Sequence, residues 1–247
     1  MSLYAIGDLH LHFGSTLKAR QQLTGRLWKD HEEKFVRNCS RMVRPDDTLV
    51  LVGDHSWGKN LEESGPDLRY IEQLPGRKIL IRGNHDMFWD AKKTDRLNDM
   101  YAGSLNFLQG NYYAYEDTAL VGTKGFTFEG PFYLNSFRQI IGWDEEAAEH
   151  AEKIVEREAG RLRQSFEAAR SAGYEKFIMF LHYPPTNILQ TSSVFTDMAE
   201  EYGAAQVIYA HSHGESRFHD SIEGKLNGVA YTLVSGDHRR WKPYKVL

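Results

Sequence analysis

Five short apolar runs in this chain stop abruptly at a side chain able to bind a metal ion, and that recurrence narrows the folds open to it. Leu3-Tyr4-Ala5-Ile6 leads through Gly7 to Asp8, Leu49-Val50-Leu51-Val52 through Gly53 to Asp54, and Ile79-Leu80-Ile81 through Arg82-Gly83 to Asn84. Phe177-Ile178-Met179-Phe180-Leu181 stops at His182, and Val207-Ile208-Tyr209-Ala210 stops at His211, both without a glycine. Apolar runs with no polar alternation read as strands buried on both faces. Sheets of such strands present function at their carboxyl ends. Gly7, Gly53 and Gly83 mark points where the backbone turns sharply or is approached closely. For one glycine an ordinary turn suffices; a glycine set just before Asp or Asn on three strands favours a shared site.

Between the strands, helices are expected at Ser15 to Arg41, at Ser64 to Leu74 and after His85, the alternation of an α/β chain. The clearest helix runs from Asp144 to Ala172. Asp144 suits its cap, Glu145 and Glu146 its first turn, and Ala147, Ala151, Ile154, Val155, Leu162 and Phe166 form a core-facing stripe ending before Gly173. Asn111 to Val121 reads as a hairpin and Ala230 to Val234 as another strand, so a second sheet is expected. Gly122 to Trp143 reads as an irregular insertion whose Phe126, Phe128, Phe132, Tyr133 and Trp143 either line a substrate pocket or plug the core. No repeat, low-complexity tract or Pro- or Ser-rich linker divides the chain, so residues 1–247 are expected to form a single domain.

Composition excludes several classes. With 41% hydrophobic and 26% charged residues the chain is neither disordered nor fibrous. A formal net charge of -4 gives no broad positive field, so duplex nucleic acid is not an expected partner. The single cysteine, Cys39, rules out an intrachain disulfide and any multi-thiolate metal site, and it reads as a small buried thiol in a reducing compartment. No apolar run approaches the ~20 residues needed to cross a bilayer. Because Leu3-Tyr4-Ala5-Ile6 already reads as a strand, no leader peptide is expected, and the protein is placed in the cytoplasm.

The strand-end residues, with His10 and His213, offer two aspartates, one amide oxygen and four imidazoles, a mixed oxygen and nitrogen field suited to Mn, Fe, Zn, Co or Ni. In such a field one carboxylate can bridge two cations, and the hydroxide between them is a nucleophile near neutral pH. The order Asp8-x-His10, Gly53-Asp54, Gly83-Asn84-His85-Asp86, His182 and His211-x-His213 resembles the calcineurin-like metallophosphoesterase superfamily, in its bacterial phosphohydrolase type. The resemblance implies a four-layer αββα sandwich, two mixed β-sheets flanked by helices. It also implies two divalent ions, with Mn, Fe or Zn expected. Asp8, His10 and His213 would hold the first ion, Asn84, His182 and His211 the second, and Asp54 would bridge them.

By the same likeness His85 is no ligand; it donates a proton to the leaving alkoxide or steadies the phosphoryl oxygens. Asp86 either orients that ring or caps the helix that follows. Arg82 resembles the arginine with which protein phosphatases of the superfamily clamp phosphate, a surface ion pair being the alternative. Two departures concern loop shape: Ala210 stands where glycine usually precedes His-x-His, and Gly53-Asp54-His55-Ser56-Trp57 lacks a second acidic or amide residue. Of the other histidines, His12, His31, His55 and His238 are candidates for neighbours of the site, His12 foremost, while His150 and His219 read as solvated. The implied activity is hydrolysis of phosphate mono- or diesters of small molecules by a metal-bridging hydroxide. The alternatives are a nuclease and a catalytically silent scaffold presenting Tyr183-Pro184-Pro185 or the aromatic insertion.

Overall fold

In a computed structural model, residues 1–15, 25–127, 132–134 and 140–247 are described, with side chains omitted at 132–134, 140, 141 and 143. In the first sheet β1 (Leu3–Ile6), β2 (Thr48–Val52), β3 (Arg77–Ile81) and β4 (Asn106–Leu108) run parallel in that order, and β13 (Tyr244–Lys245) closes antiparallel on β1. The second sheet has a parallel centre of β6 (Thr118–Thr123), β9 (Lys176–Leu181), β10 (Ala204–Tyr209) and β12 (Val229–Leu233). Antiparallel β5 (Tyr112–Tyr115) and β11 (Gly224–Leu226) form its edges. A separate hairpin joins β7 (Phe132–Leu134) to β8 (Ile140–Trp143).

The unbroken apolar runs have a simple cause: each central strand is buried twice, and its period of two sorts side chains between different cores. Leu3, Ala5, Val50, Val52, Ile79 and Ile81 of the first sheet meet Leu120, Ile178, Phe180 and Ile208 of the second in the middle core. Their neighbours Tyr4, Ile6, Leu49, Leu51 and Leu80 point the other way. There they pack beneath α1 (His31–Met42), α2 (Leu61–Glu72) and α3 (Thr94–Tyr101) through Phe35, Cys39, Leu68, Ile71 and Leu97. On the far side Ala119, Val121, Phe177, Met179, Val207 and Tyr209 pack under α4 (Glu145–Ser171) and α5 (Val194–Glu201) through Leu162, Phe166, Phe195 and Met198. The layers therefore stack helix, sheet, sheet, helix, an α/β architecture of two mixed sheets, as expected. A short α6 (Glu215–Asp220) follows β10.

Several boundaries differ from the sequence reading. The helix expected from Ser15 begins at His31, after a turn through Gly25 to Asp30; residues 16–24 lie outside the described residues. α2 starts before Ser64 because the Asn60 side chain caps it, accepting from Glu63 N at 3.0 Å. After His85 the chain first makes turns and a 3-10 segment over Ala91–Lys93 before α3. The segment from Gly122 to Trp143 is not wholly irregular, since it carries the end of β6 and the β7–β8 hairpin; Phe128 lies outside the described residues. α4 follows expectation, with Asp144 Oδ1 accepting from Ala147 N at 2.9 Å. No helix among the described residues is long and apolar enough to cross a membrane.

Phe180 is fully buried between the sheets. Phe180→Ala should lower the unfolding free energy by about 3–5 kcal/mol in urea titrations, the cost of a large core cavity. A loss below about 1 kcal/mol would mean that the middle core is not the packed interior described.

Candidate metal centre

The five strand ends converge because β1, β2 and β3 are mutually parallel, as are β9 and β10, so their carboxyl ends lie on one side of the molecule. The sheets are stitched there: Gly7 N donates to Val234 O at 2.8 Å and Gly236 N to Gly7 O at 3.1 Å. Ala210 N donates to His182 O at 3.1 Å. The approach is too close for side chains at key points. A Cβ on Gly53 would overlap the His182 ring, and one on Gly83 would overlap the backbone nitrogen and carboxylate of Asp54. The backbone beyond the strands is strained into the left-handed region at Asp8 (φ 61), His10 (φ 45), Asp54 (φ 52) and His211 (φ 72). Asp and His tolerate that region better than most residues, and such strain gathers at functional sites.

Two groups of donor atoms result. Asp8, His10 and His213 form one, and Asp54, His182 and His211 the other, the ligand atoms of each lying within 4.8 Å of one another. Asn84 joins the second, with Oδ1 2.8 Å from His182 Nε2. Asp54 Oδ2 stands between the groups, 3.6 Å from His10 Nε2 and 3.4 Å from His182 Nε2. All seven residues that the sequence marks for metal are thus brought together.

The protonation pattern suits cations. His182 Nδ1 donates to Val52 O at 3.1 Å, which turns the lone pair of Nε2 toward Asn84 Oδ1, Asp54 Oδ2 and His211 Nδ1, the last at 3.2 Å. His213 Nδ1 faces Asp237 Oδ1 at 3.1 Å, leaving its Nε2 for Asp8. Neither ring nitrogen of the buried His10 has a hydrogen-bond partner among the described residues. Buried lone pairs crowded together without donors are what a bound cation would satisfy, so these residues fit divalent ions.

Electrostatics agree. Burial raises the Asp8 carboxyl to about 6, against the pull of His213 and His182. Burial would raise Asp54 too, but His182, His10 and His85 hold it well below the usual carboxylate range. His182 is lifted to about 9 because Asp54 and Asp8 overcome its burial. Burial and the neighbouring His182 press His211 down to about 2. A proton on His182 and a metal ion therefore compete for one set of lone pairs.

The residues marked for catalysis sit around this cluster in different ways. The His85 ring lies 5.4 Å from that of His10 and 4.2 Å from that of Trp57 between centroids, and neither of its nitrogens has a partner among the described residues. Its backbone N donates to Asp54 Oδ1 at 2.8 Å. Arg82 Nε donates to Trp89 O at 2.7 Å, which leaves the two terminal amino groups of the guanidinium without an acceptor among the described residues. Asp86 departs from both expectations, since it neither faces the His85 ring nor caps a helix. Its fully buried carboxylate accepts from the backbone N of Gly83 (2.7 Å), Asp54 (3.1 Å), His55 (2.8 Å) and Ser56 (3.3 Å), tying two strand-end loops together. Each carboxylate oxygen already accepts from two backbone N–H groups, which leaves none for an imidazole.

His55 supports the same loop, its Nε2 donating to Ile81 O at 2.9 Å, in place of the acidic or amide residue missing after Gly-Asp. His12, His31 and His238 stand outside both groups, beside Glu32, the Leu9 carbonyl and Glu223. His150 and His219 are exposed, as expected. Cys39 is buried, and burial pushes its thiol up to about 12.

Three neighbours escaped the sequence reading. Asp237 is buried and orients His213; its signal was present, since Gly236-Asp237 follows a strand as Gly53-Asp54 does. Trp57 packs between His10 and His85. Lys124, just beyond β6, is buried, and burial lowers it to about 8 despite Glu158, with Arg82, Arg157 and Arg161 pushing the same way. A cavity of about 320 Å³ lined by Thr127, Tyr183, Pro184, His211, His213 and Arg217 opens the cluster to solvent.

Comparison with known proteins agrees with this geometry. An uncharacterised protein of Methanocaldococcus jannaschii, MJ1445, is 26% identical over 96 residues, a match covering 39% of this chain and 53% of that protein, so the chain spans about half the length of this relative. Among solved structures, the phosphopantetheinyl hydrolase PptH from Mycobacterium tuberculosis is similar, with a TM-score of 0.55 and 16% identity over 100% of this chain and 95% of its own. TT1561 of Thermus thermophilus is similar too, with a TM-score of 0.54 and 11% identity over 98% of this chain and 96% of its own. At such identities the two structures speak for the fold alone. The profile of the calcineurin-like phosphoesterases matches residues 1–215, most of the chain and all five strand ends that carry the donor residues. This chain accordingly belongs to the calcineurin-like phosphoesterase family, whose members hydrolyse phosphoesters with divalent metal ions.

Proposed function

We propose that this protein is a phosphomonoesterase or phosphodiesterase of small molecules with a dinuclear centre, in which Asp8, His10 and His213 would hold one ion, Asn84, His182 and His211 the other, and Asp54 would be shared between them. The observation that carries this reading is the position of Asp54 Oδ2 within 3.6 Å of one group's imidazole and 3.4 Å of the other's. When bound, two divalent ions, Mn, Fe or Zn by the donor set, supply an activated water and neutralise charge on the phosphoryl group. Everything else falls to the chain. His85, with both ring nitrogens uncommitted, donates a proton to the leaving alkoxide. Arg82, steadied through Nε by the Trp89 carbonyl, turns its free amino groups to a phosphate oxygen. Asp86 acts as a positioning residue, holding the Asp54 and Asn84 loops in register. We take 1–247 as one domain because β13 closes on β1 and Asp237 reaches back to His213. A single unpaired cysteine suits a cytoplasmic setting.

Protein loaded with Mn should contain up to two ions per chain and cleave p-nitrophenyl phosphate or its bis-ester. Asp54→Asn should abolish turnover, and His85→Ala should lower kcat by about 10²–10⁴-fold with metal content intact. Fewer than one ion per chain, or inactivity across a broad panel of phosphate esters, would sink the proposal. Asp237→Asn should weaken metal binding by about 10–100-fold in competition titrations, since His213 loses the carboxylate that fixes its tautomer. Metal binding should also release protons. With His182 at about 9 and His213 also raised in the free protein, uptake at pH 7.5 should release at least one proton, and affinity should climb as pH rises from 6.5 toward 9. Calorimetry in buffers of different ionisation enthalpy reads this directly; release of no proton would contradict it.

A further inference from the structure

Beside the second donor group stands a buried ammonium group that the proposed reaction does not use. Lys124 is 8% exposed, and its Nζ lies 5.1 Å from the centroid of the Tyr183 ring and 5.6 Å from that of Phe126. No oxygen among the described residues accepts a hydrogen bond from that Nζ. The aromatic faces offset only part of the desolvation of an ammonium group. The nearby carboxylate, Glu158, is already engaged. It pairs with Arg161, lies 3.7 Å from Arg157 Nε, and accepts from Gln109 Nε2 at 2.9 Å and Thr123 Oγ1 at 2.5 Å.

The position of this charge is informative. The Tyr183 ring lies 4.1 Å from that of His211 between centroids, so one ring touches both Lys124 and the second donor group. Arg82 is close enough to push against the charge on Lys124, and its terminal amino groups also lack an acceptor among the described residues. A buried ammonium with no hydrogen-bonding oxygen among the described residues, offset only by a Glu158 carboxylate engaged elsewhere, therefore stands near a site for phosphate. Buried charges are normally paired, and an anion brought by the substrate would pair this one.

We propose that Lys124 forms an anion subsite for a second negatively charged group of the substrate, Arg82 being left to the scissile phosphate, so that this enzyme acts on phosphoesters bearing a further carboxylate or phosphate. The inference rests on the reading above that the scissile phosphate sits at the two donor groups.

The test uses non-hydrolysable probes on the Mn-loaded protein by calorimetry. Methylphosphonate is compared with phosphonoacetate and 4-phosphonobutyrate, which add a carboxylate at two reaches, and with methylenebisphosphonate, which adds a second phosphonate. At least one of the doubly anionic probes should bind about tenfold more tightly than methylphosphonate, the factor of one charge-assisted contact. That preference should vanish in Lys124→Met and survive in Lys124→Arg; Lys124→Gln serves should the Met variant not fold. Which probe wins separates a carboxylate from a phosphate. No preference in the wild type, or one that persists without Lys124, overturns the subsite. Metal content and hydrolysis of phenyl phosphate are read separately, so a protein that shows the Lys124-dependent preference but never turns over would refute the phosphoesterase reading and leave the subsite standing.

Discussion

The Asp54 carboxylate is the constraint around which the molecule is arranged. It is 1% exposed yet remains ionised, because His182, His10 and His85 surround it and the His85 backbone donates to it. Keeping a charge in that position demands that two strand ends of one sheet and two of the other approach within a few ångströms. Glycine at 53 and 83, left-handed backbone at four of the converging residues, and the Asp86 carboxylate clamping four amides all follow from that demand. Removing the charge would leave those features without a purpose.

The fold serves this arrangement by burying strands on both faces. The middle core, built from Val50, Val52, Ile79 and Ile81 against Ile178, Phe180 and Ile208, holds the two sheets at fixed spacing, and a close-packed interior transmits little play to the strand ends. The helices on either side supply the second faces through Phe35, Leu68, Leu162 and Phe166. A site made from loop ends thereby acquires the rigidity of a core.

How much of this was legible in the sequence depends on what each residue is asked to do. Strands buried twice announce themselves as unbroken apolar runs, so β1, β2, β3, β9 and β10 were read correctly to within a few residues, and the seven side chains marked for metal lie together at and near their ends. Three-residue strands such as β4 and β11 carry too few residues to show any period. Asp86 was assigned by adjacency to His85, but a carboxylate takes whichever donors lie nearest in space, and three of its four belonged to residues some thirty positions away. Asp237 shared the Gly-Asp pattern and was passed over because nothing local distinguishes an orienting carboxylate from a turn former. Lys124 is buried only because Tyr183, Phe126 and α4 gather over it, a fact of tertiary packing that no window of sequence contains.

The closure of β13 on β1 joins two strands that every other strand separates in sequence, with Tyr4 opposite Lys245 and Ala5 opposite Tyr244. Until β13 is in place, β1 carries a bare row of amides and carbonyls, the kind of edge that invites pairing with other chains. A nascent chain on the ribosome makes β1 long before it makes the strand that covers it. Completion of the first sheet therefore waits on a contact of very long sequence range, the kind of pairing that forms slowly.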